Sequence, residues 1–138
     1  MACKDMNGVI NDHPVYVRQW PASVALDNLS KALKVFGADL AFFIDGTYEF
    51  TNILRVMRNN DPELVQILKD FACAARVDGR EIRQTMFDAE YSGDIYRVWK
   101  TFAFVCEVNY KDFFDEGVSL LEQGLQEQDR SEQSQLPQ

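Results

Sequence analysis

His13 is the single histidine of this 138-residue chain, so it alone could serve as an imidazole base or nitrogen ligand. That inventory excludes zinc sites built on several imidazoles and confines any Ser-His-Asp arrangement to one position. A catalytic base needs partners within reach, and His13, next to Pro14 in a turn-rich segment, reads as an exposed histidine with no task. Asp88, Glu90 and Asp94 form a loose acidic group that could attract calcium. The ligand order of an EF-hand, with its central glycine and terminal glutamate, is missing, so this group reads as a solvated loop. Gly37, Gly46 and Gly79 stand apart, without a GxGxxG or GxxxxGK pattern to present consecutive amides to a phosphate. Carboxylates are plentiful, but nothing in their order sets two of them across a cleft. No nucleophile, base and oxyanion donor come together, and the chain reads as a non-enzyme with no catalytic residue, no metal and no cofactor.

Composition points the same way. With 46% hydrophobic residues, 138 residues are enough for one core. The 22 acidic against 14 basic residues, a formal charge of -8, would repel a phosphate backbone, so nucleic acid is not an expected partner. Cys3, Cys73 and Cys106 are odd in number and lack CxxC spacing, and two of them lie in apolar stretches, a usage suited to a reducing compartment. The start of the chain has no apolar leader core and no uncharged run approaches the ~20 residues that span a bilayer, so a soluble, cytoplasmic protein without a membrane partner is expected.

The elements that must position these residues are mainly helical. Turn residues around Val9, Ile10, Val15 and Val17 suggest one or two short extended segments. Ala22, Ala25, Leu26, Leu29, Leu33 and Phe36 fall at helical spacing between Pro21 and Gly37. A short apolar piece at 38–46 and a helix ending near Asn59 follow. The segment 60–76, opened by Asp61 and Pro62, is the clearest helix. Asp78 and Gly79 suit a two-residue turn, a helical turn follows within 85–94, and a helix runs from Asp94 to about Asn109. Another begins near Tyr110, weakened by Gly117 and Gly124. The expected architecture is all-α, a compact bundle of five to six helices with a short extended or hairpin element near the N-terminus. Residues 1–125 form the domain, and 126–138 a flexible, acidic, glutamine-rich tail.

Aromatic residues are the candidates for binding. Trp99 and Phe102 belong to an apolar helix face, whereas Trp20 precedes a proline and is expected to be half covered. In "VNYKDFF" (108–114), Phe113 and Phe114 point about 100° apart on a helix. Two readings stay open: one ring enters the core while the other and Tyr110 sit at a rim that a partner covers, or both rings fill a corner of the core. Trp20, Tyr110, Phe113 and Phe114 are the candidate partner-binding residues.

The stretches "RVDGREI" and "MFDAEYSGDIYRVWKTFAFVCEVNYKDFF" resemble the tail assembly chaperones of long-tailed phages with non-contractile tails. The likeness is carried by Phe87, Asp88, Tyr91 and Gly93 in an acidic aromatic loop, and by Asn109, Tyr110, Asp112, Phe113 and Phe114 in the run that follows. "YVRQWPASVALDNLSKAL" (16–33) is similar to the family's opening, and the resemblance spans roughly residues 15 to 116. Tyr91 and Tyr110 depart from it in standing where phenylalanine is more usual. The resemblance implies an all-helical protein that binds the tape measure protein in several copies and keeps it soluble; self-association of the chain is left open. It also implies recruitment of tail tube subunits in the host cytoplasm, absence from the mature virion, and often a longer frameshifted product. The alternative drawn from the charge of -8 is an acidic nucleic-acid mimic that inhibits a host defence or repair enzyme. Against it, carboxylates alternate with Lys31, Lys34, Arg55 and Arg58 rather than forming a phosphate-like row.

Overall fold

Two pairs of turn residues set the sheet. Asn11 and Asp12 have φ of 49° and 67°, and Asp78 and Gly79 have φ of 53° and 75°. Two successive left-handed residues make the tight hairpin turn whose twist matches that of its strands, and Asn, Asp and Gly are the residues that tolerate it. In the computed structural model, which describes residues 4–135 and their side chains as far as residue 125, the first turn joins β1 (Asp5–Ile10) to β2 (His13–Arg18). The second joins β3 (Ala75–Val77) to β4 (Arg80–Glu81). The two hairpins combine into one antiparallel sheet in the order β1-β2-β3-β4, with Val15 opposite Val77 and Val17 opposite Ala75. These four side chains are buried, so one sheet face closes on the core.

The sheet corrects the all-α expectation: the molecule is mostly helical, but its class is mixed α and β. Three- and two-residue strands are too short for alternation to register in sequence, and the pairing of β2 with β3 joins segments far apart in the chain.

The helices are α1 (Ala22–Phe36), α2 (Leu40–Asp45), α3 (Phe50–Arg58), α4 (Leu64–Ala72), α5 (Phe87–Tyr91) and α6 (Ile95–Gln135). A 3-10 turn, Gly37–Asp39, leads into α2, and another, Gln84–Met86, into α5. Entry into α3 is fixed by Asn52, whose Oδ1 accepts the Glu49 amide at 2.7 Å while its Nδ2 donates to Asp39 at 3.1 Å. No described helix is long and apolar enough to cross a membrane.

Helix α6 is the spine against which the rest packs. Phe102, in its first third, lies at the centre of the core, with the rings of Phe36 and Phe71 each 4.8 Å away and Phe43 at 5.7 Å. The two helices expected to meet at Asn109 and Tyr110 are one continuous helix, which corrects that reading. Asn109 turns its side chain to neighbours instead of ending the helix: Oδ1 accepts the Trp20 amide at 2.8 Å and Nδ2 donates to the Val105 carbonyl at 3.0 Å. Gln19 Nε2 donates to the Val108 carbonyl at 2.9 Å beside it, fastening the β2–α1 connection to α6. The expected tail, 126–138, lies outside the residues whose side chains are described.

Strand β1 crosses α6 at Gly8, where a Cβ would stand 3.0 Å from Phe104 Cε2. Gly8→Val is expected to push the ring aside and destabilise the fold by about 1–3 kcal/mol, as overpacking does. A urea titration followed by circular dichroism measures it. A midpoint equal to that of the parent would mean that the contact yields freely.

Candidate functional site

Helix α3 carries more apolar surface than the core takes. Residues separated by three and four lie on one helix face, and here the apolar arc spans Phe50, Ile53, Leu54, Val56 and Met57. The core receives Ile53 (2% exposed) and Val56 (1%), which leaves Phe50, Leu54 and Met57 about half exposed. Helix α4 repeats the pattern: Leu64, Ile67, Leu68 and Phe71 are buried, while Val65 is 62% exposed. At the start of α6, Ile95 is 68% exposed and Tyr96 stacks on Phe50 with ring centroids 6.2 Å apart.

Three of these exposed residues, Met57, Val65 and Ile95, line a groove of about 420 Å³ together with Leu64, Leu68, Phe87, Tyr91, Val98 and Trp99. Asp88, Ser92 and Gly93 supply its polar edge. Isolated exposed apolar residues need no explanation, but a cluster around a concave floor marks a contact surface. Its chemistry is that of a receptor for an apolar helix face.

A buried cation lies behind Tyr91 at the edge of the groove. Arg97, 4% exposed, donates from Nε to Asp94 at 2.7 Å, from Nη1 to Glu90 Oε1 at 3.1 Å and from Nη2 to the Glu90 carbonyl at 2.7 Å. Its guanidinium also stands 4.5 Å from the centroid of the Tyr91 ring. Burial raises the pKa of the Tyr91 phenol, so the ring stays neutral beside the groove. The Tyr91 hydroxyl lies near Thr101 without a well-formed hydrogen bond, while Thr101 Oγ1 donates to the Arg97 carbonyl at 2.8 Å.

The acidic group expected as a solvated loop is therefore divided, since Glu90 and Asp94 clasp Arg97 and only Asp88 faces the groove. His13, expected to be idle, has its Nδ1 2.9 Å from Asp78 Oδ2, and Glu90 brings a third ligand atom within 4.8 Å. Arg80 and Arg97 already balance Glu90, at 3.1 Å each, so the chemistry of this trio is that of a hydrogen-bonded charge network. Burial raises the pKa of the Cys106 thiol well above the usual range and that of Cys73 less, which keeps both in the protonated, weakly nucleophilic form.

The four aromatic candidates separate. Tyr110, expected at a rim, is corrected to the core: it is 3% exposed and its hydroxyl donates to the Ala25 carbonyl at 2.8 Å. Burial raises its phenol pKa beyond the ordinary range for tyrosine. Trp20 is half-buried edge-on against Phe71, with centroids 5.0 Å apart. Phe114 is half-buried and its neighbour Phe113 is 60% exposed, so one ring turns inward and the other outward. The groove residues Met57, Val65 and Ile95 belong to apolar helix faces legible in the sequence but are not among the candidate partner-binding residues named from it. Their signal was present in the helical arcs of α3 and α4, which are wider than a single buried face.

A family model described as phage tail assembly chaperone protein, TAC, matches residues 11–122. No curated protein and no solved structure matches the chain.

Proposed function

This chain belongs to the phage tail assembly chaperone family, and from that premise we propose that it binds helical segments of the tape measure protein in the groove between α3, α4 and α6. Several copies coat the client, keep it soluble and recruit tail tube subunits in the host cytoplasm, then leave before the tail is finished. The reading is non-enzymatic: binding energy alone performs the task. One observation carries it, the gathering of Met57, Val65 and Ile95 around a 420 Å³ apolar floor. An amphipathic helix laid there would bury its own apolar face together with theirs. The acidic-mimic alternative finds less support, because body carboxylates are matched by cations, as in Lys31–Asp27 and Arg55–Asp39. Phe113 and Phe114 keep a proposed partner-facing role, while Trp20 and Tyr110 serve it indirectly by fixing α6 to α1.

The test is capture of tape measure fragments by the purified chain. Val65→Asp and Ile95→Asp replace exposed apolar side chains and leave the core intact, so folding is expected to be unchanged. Each is expected to weaken capture by roughly tenfold or more, since a charge then faces the client's apolar stripe. Equal capture by both folded variants would remove the groove from the interface.

A further inference from the structure

Beyond the groove, a second surface is exposed where α6 leaves the body. Phe114, Val118, Leu121 and Leu125 follow at spacings of four, three and four, which places them within about 60° of one another around the helix. Val118, Leu121 and Leu125 are 50%, 68% and 62% exposed. This is the seam of a two-helix coiled coil with one helix present. One flank of the seam is acidic, carrying Asp115 and Glu122 seven residues apart. The other flank carries Gly117 and Gly124, where an added Cβ would meet nothing within 4 Å. Glycine in a helix interior is unfavourable by about 1 kcal/mol relative to alanine, and no packing within the described fold calls for it at either position.

The seam is continuous with a packing already in use. Helix α2 lies along α6 and stops at Asp45, where Gly46 turns left-handed with φ of 74°. Just past that stop is a cavity of about 240 Å³ with Ala41, Phe114 and Val118 as apolar floor and Asp45, Asp115 and Glu122 as acidic walls. One cation, Lys111, is shared there between Asp45 at 3.2 Å and Asp115 at 3.5 Å. A helix entering the cavity would prolong the α2 packing along the seam.

We propose that this end of α6 is a docking site for a basic amphipathic helix of a partner protein. That helix would have an apolar heptad seam and lysine or arginine seven residues apart facing Asp115 and Glu122. A second copy of this chain fits poorly. Its own seam would bring Asp115 and Glu122 against like charges in the antiparallel arrangement, or against the glycine flank in the parallel one, leaving the carboxylates without cations either way.

The test uses fluorescence anisotropy with two labelled synthetic peptides of about three heptads, both with leucine at the seam positions. One has lysine on its flanks and the other glutamate. The lysine peptide is expected to bind, more weakly as salt rises, and the glutamate peptide to bind at least roughly tenfold more weakly. Leu121→Ser and Leu125→Ser, on an exposed helix, should keep the circular dichroism of the parent and lose roughly tenfold or more in affinity. Asp115→Asn combined with Glu122→Gln should lose about threefold to tenfold. Val65→Asp should leave peptide binding unchanged, which separates this surface from the groove. Equal binding of both peptides overturns the charge assignment. Binding of neither, or a concentration-dependent dimer that Leu121→Ser abolishes, overturns the site or assigns it to a second copy.

Discussion

Phe102→Ala is expected to destabilise the protein by about 3–5 kcal/mol, a large share of the roughly 5–15 kcal/mol that holds a domain together. The ring is fully buried and contacts Phe36, Phe43, Phe71 and Trp99, which come from α1, α2, α4 and α6. Removing it deletes the common neighbour of four rings whose backbones are set by separate helices and cannot all close the gap. The lost edge-to-face and stacked contacts add to the cavity left behind. Urea denaturation followed by tryptophan fluorescence measures the loss, with Trp99 reporting from within the cluster. Leu120→Ala, on the projecting part of α6 and 60% exposed in the parent, is the control and should stay within about 0.5 kcal/mol. A Phe102→Ala variant as stable as that control would mean that α6 is not the spine.

Arg97→Met has the second large effect, expected at about 3–5 kcal/mol, because methionine matches the stem but leaves Glu90 without the buried one of its two cations. The Glu90 side chain is only 12% exposed, so water cannot replace the guanidinium. Arg80, 3.1 Å from the other Glu90 oxygen and itself 55% exposed, would compensate in part. The Glu90 carbonyl, which accepts from Arg97 Nη2, would lose that bond as well. A double-mutant cycle separates charge from packing. Adding Glu90→Gln to Arg97→Met should cost less than the sum of the two single changes, since the second removes the charge that the first leaves unpaired. Strict additivity would show that the clasp contributes only packing. The α5–α6 corner forms one wall of the groove, so Arg97→Met should also weaken client capture near its own melting transition, whereas Val65→Asp should do so at full stability.

The aromatic cluster and the Arg97 clasp differ in how much of them could be read along the chain. Phe102 and Trp99 sit on an apolar helix face that periodicity identifies, so their burial follows from order alone. The partners of Arg97 are local, three and seven residues away, yet the same carboxylates read as a solvated loop. Nothing in their spacing shows that Arg97 would be buried against them, or that Arg80 of β4 would reach Glu90. Asp78 and Gly79 announce their turn, but the strands on either side are short enough that only the pairing of β3 with β2 makes them a sheet. Tyr110 is the clearest case of a side chain whose place is non-local. Helical geometry put it near the outer edge of "VNYKDFF", and the Ala25 carbonyl and Phe71 ring drew it inside.

By itself, the order of residues determined the helical periodicity, the turn signals of the two hairpins, most of the apolar faces of α4 and α6, and the resemblance that the family match bears out; the face expected for α1 is displaced, with Leu26 and Leu33 exposed and Ala32 and Val35 buried. These rest on preferences expressed within a few residues, where the backbone's own geometry decides. The tertiary structure alone decided the four-stranded sheet, the unbroken α6, the fate of Tyr110, and which part of each wide apolar arc stays in water. These depend on contacts between segments distant in the chain. Burial is settled by competition for one core of limited volume, in which Ile53 and Val56 found room and Phe50 and Met57 did not.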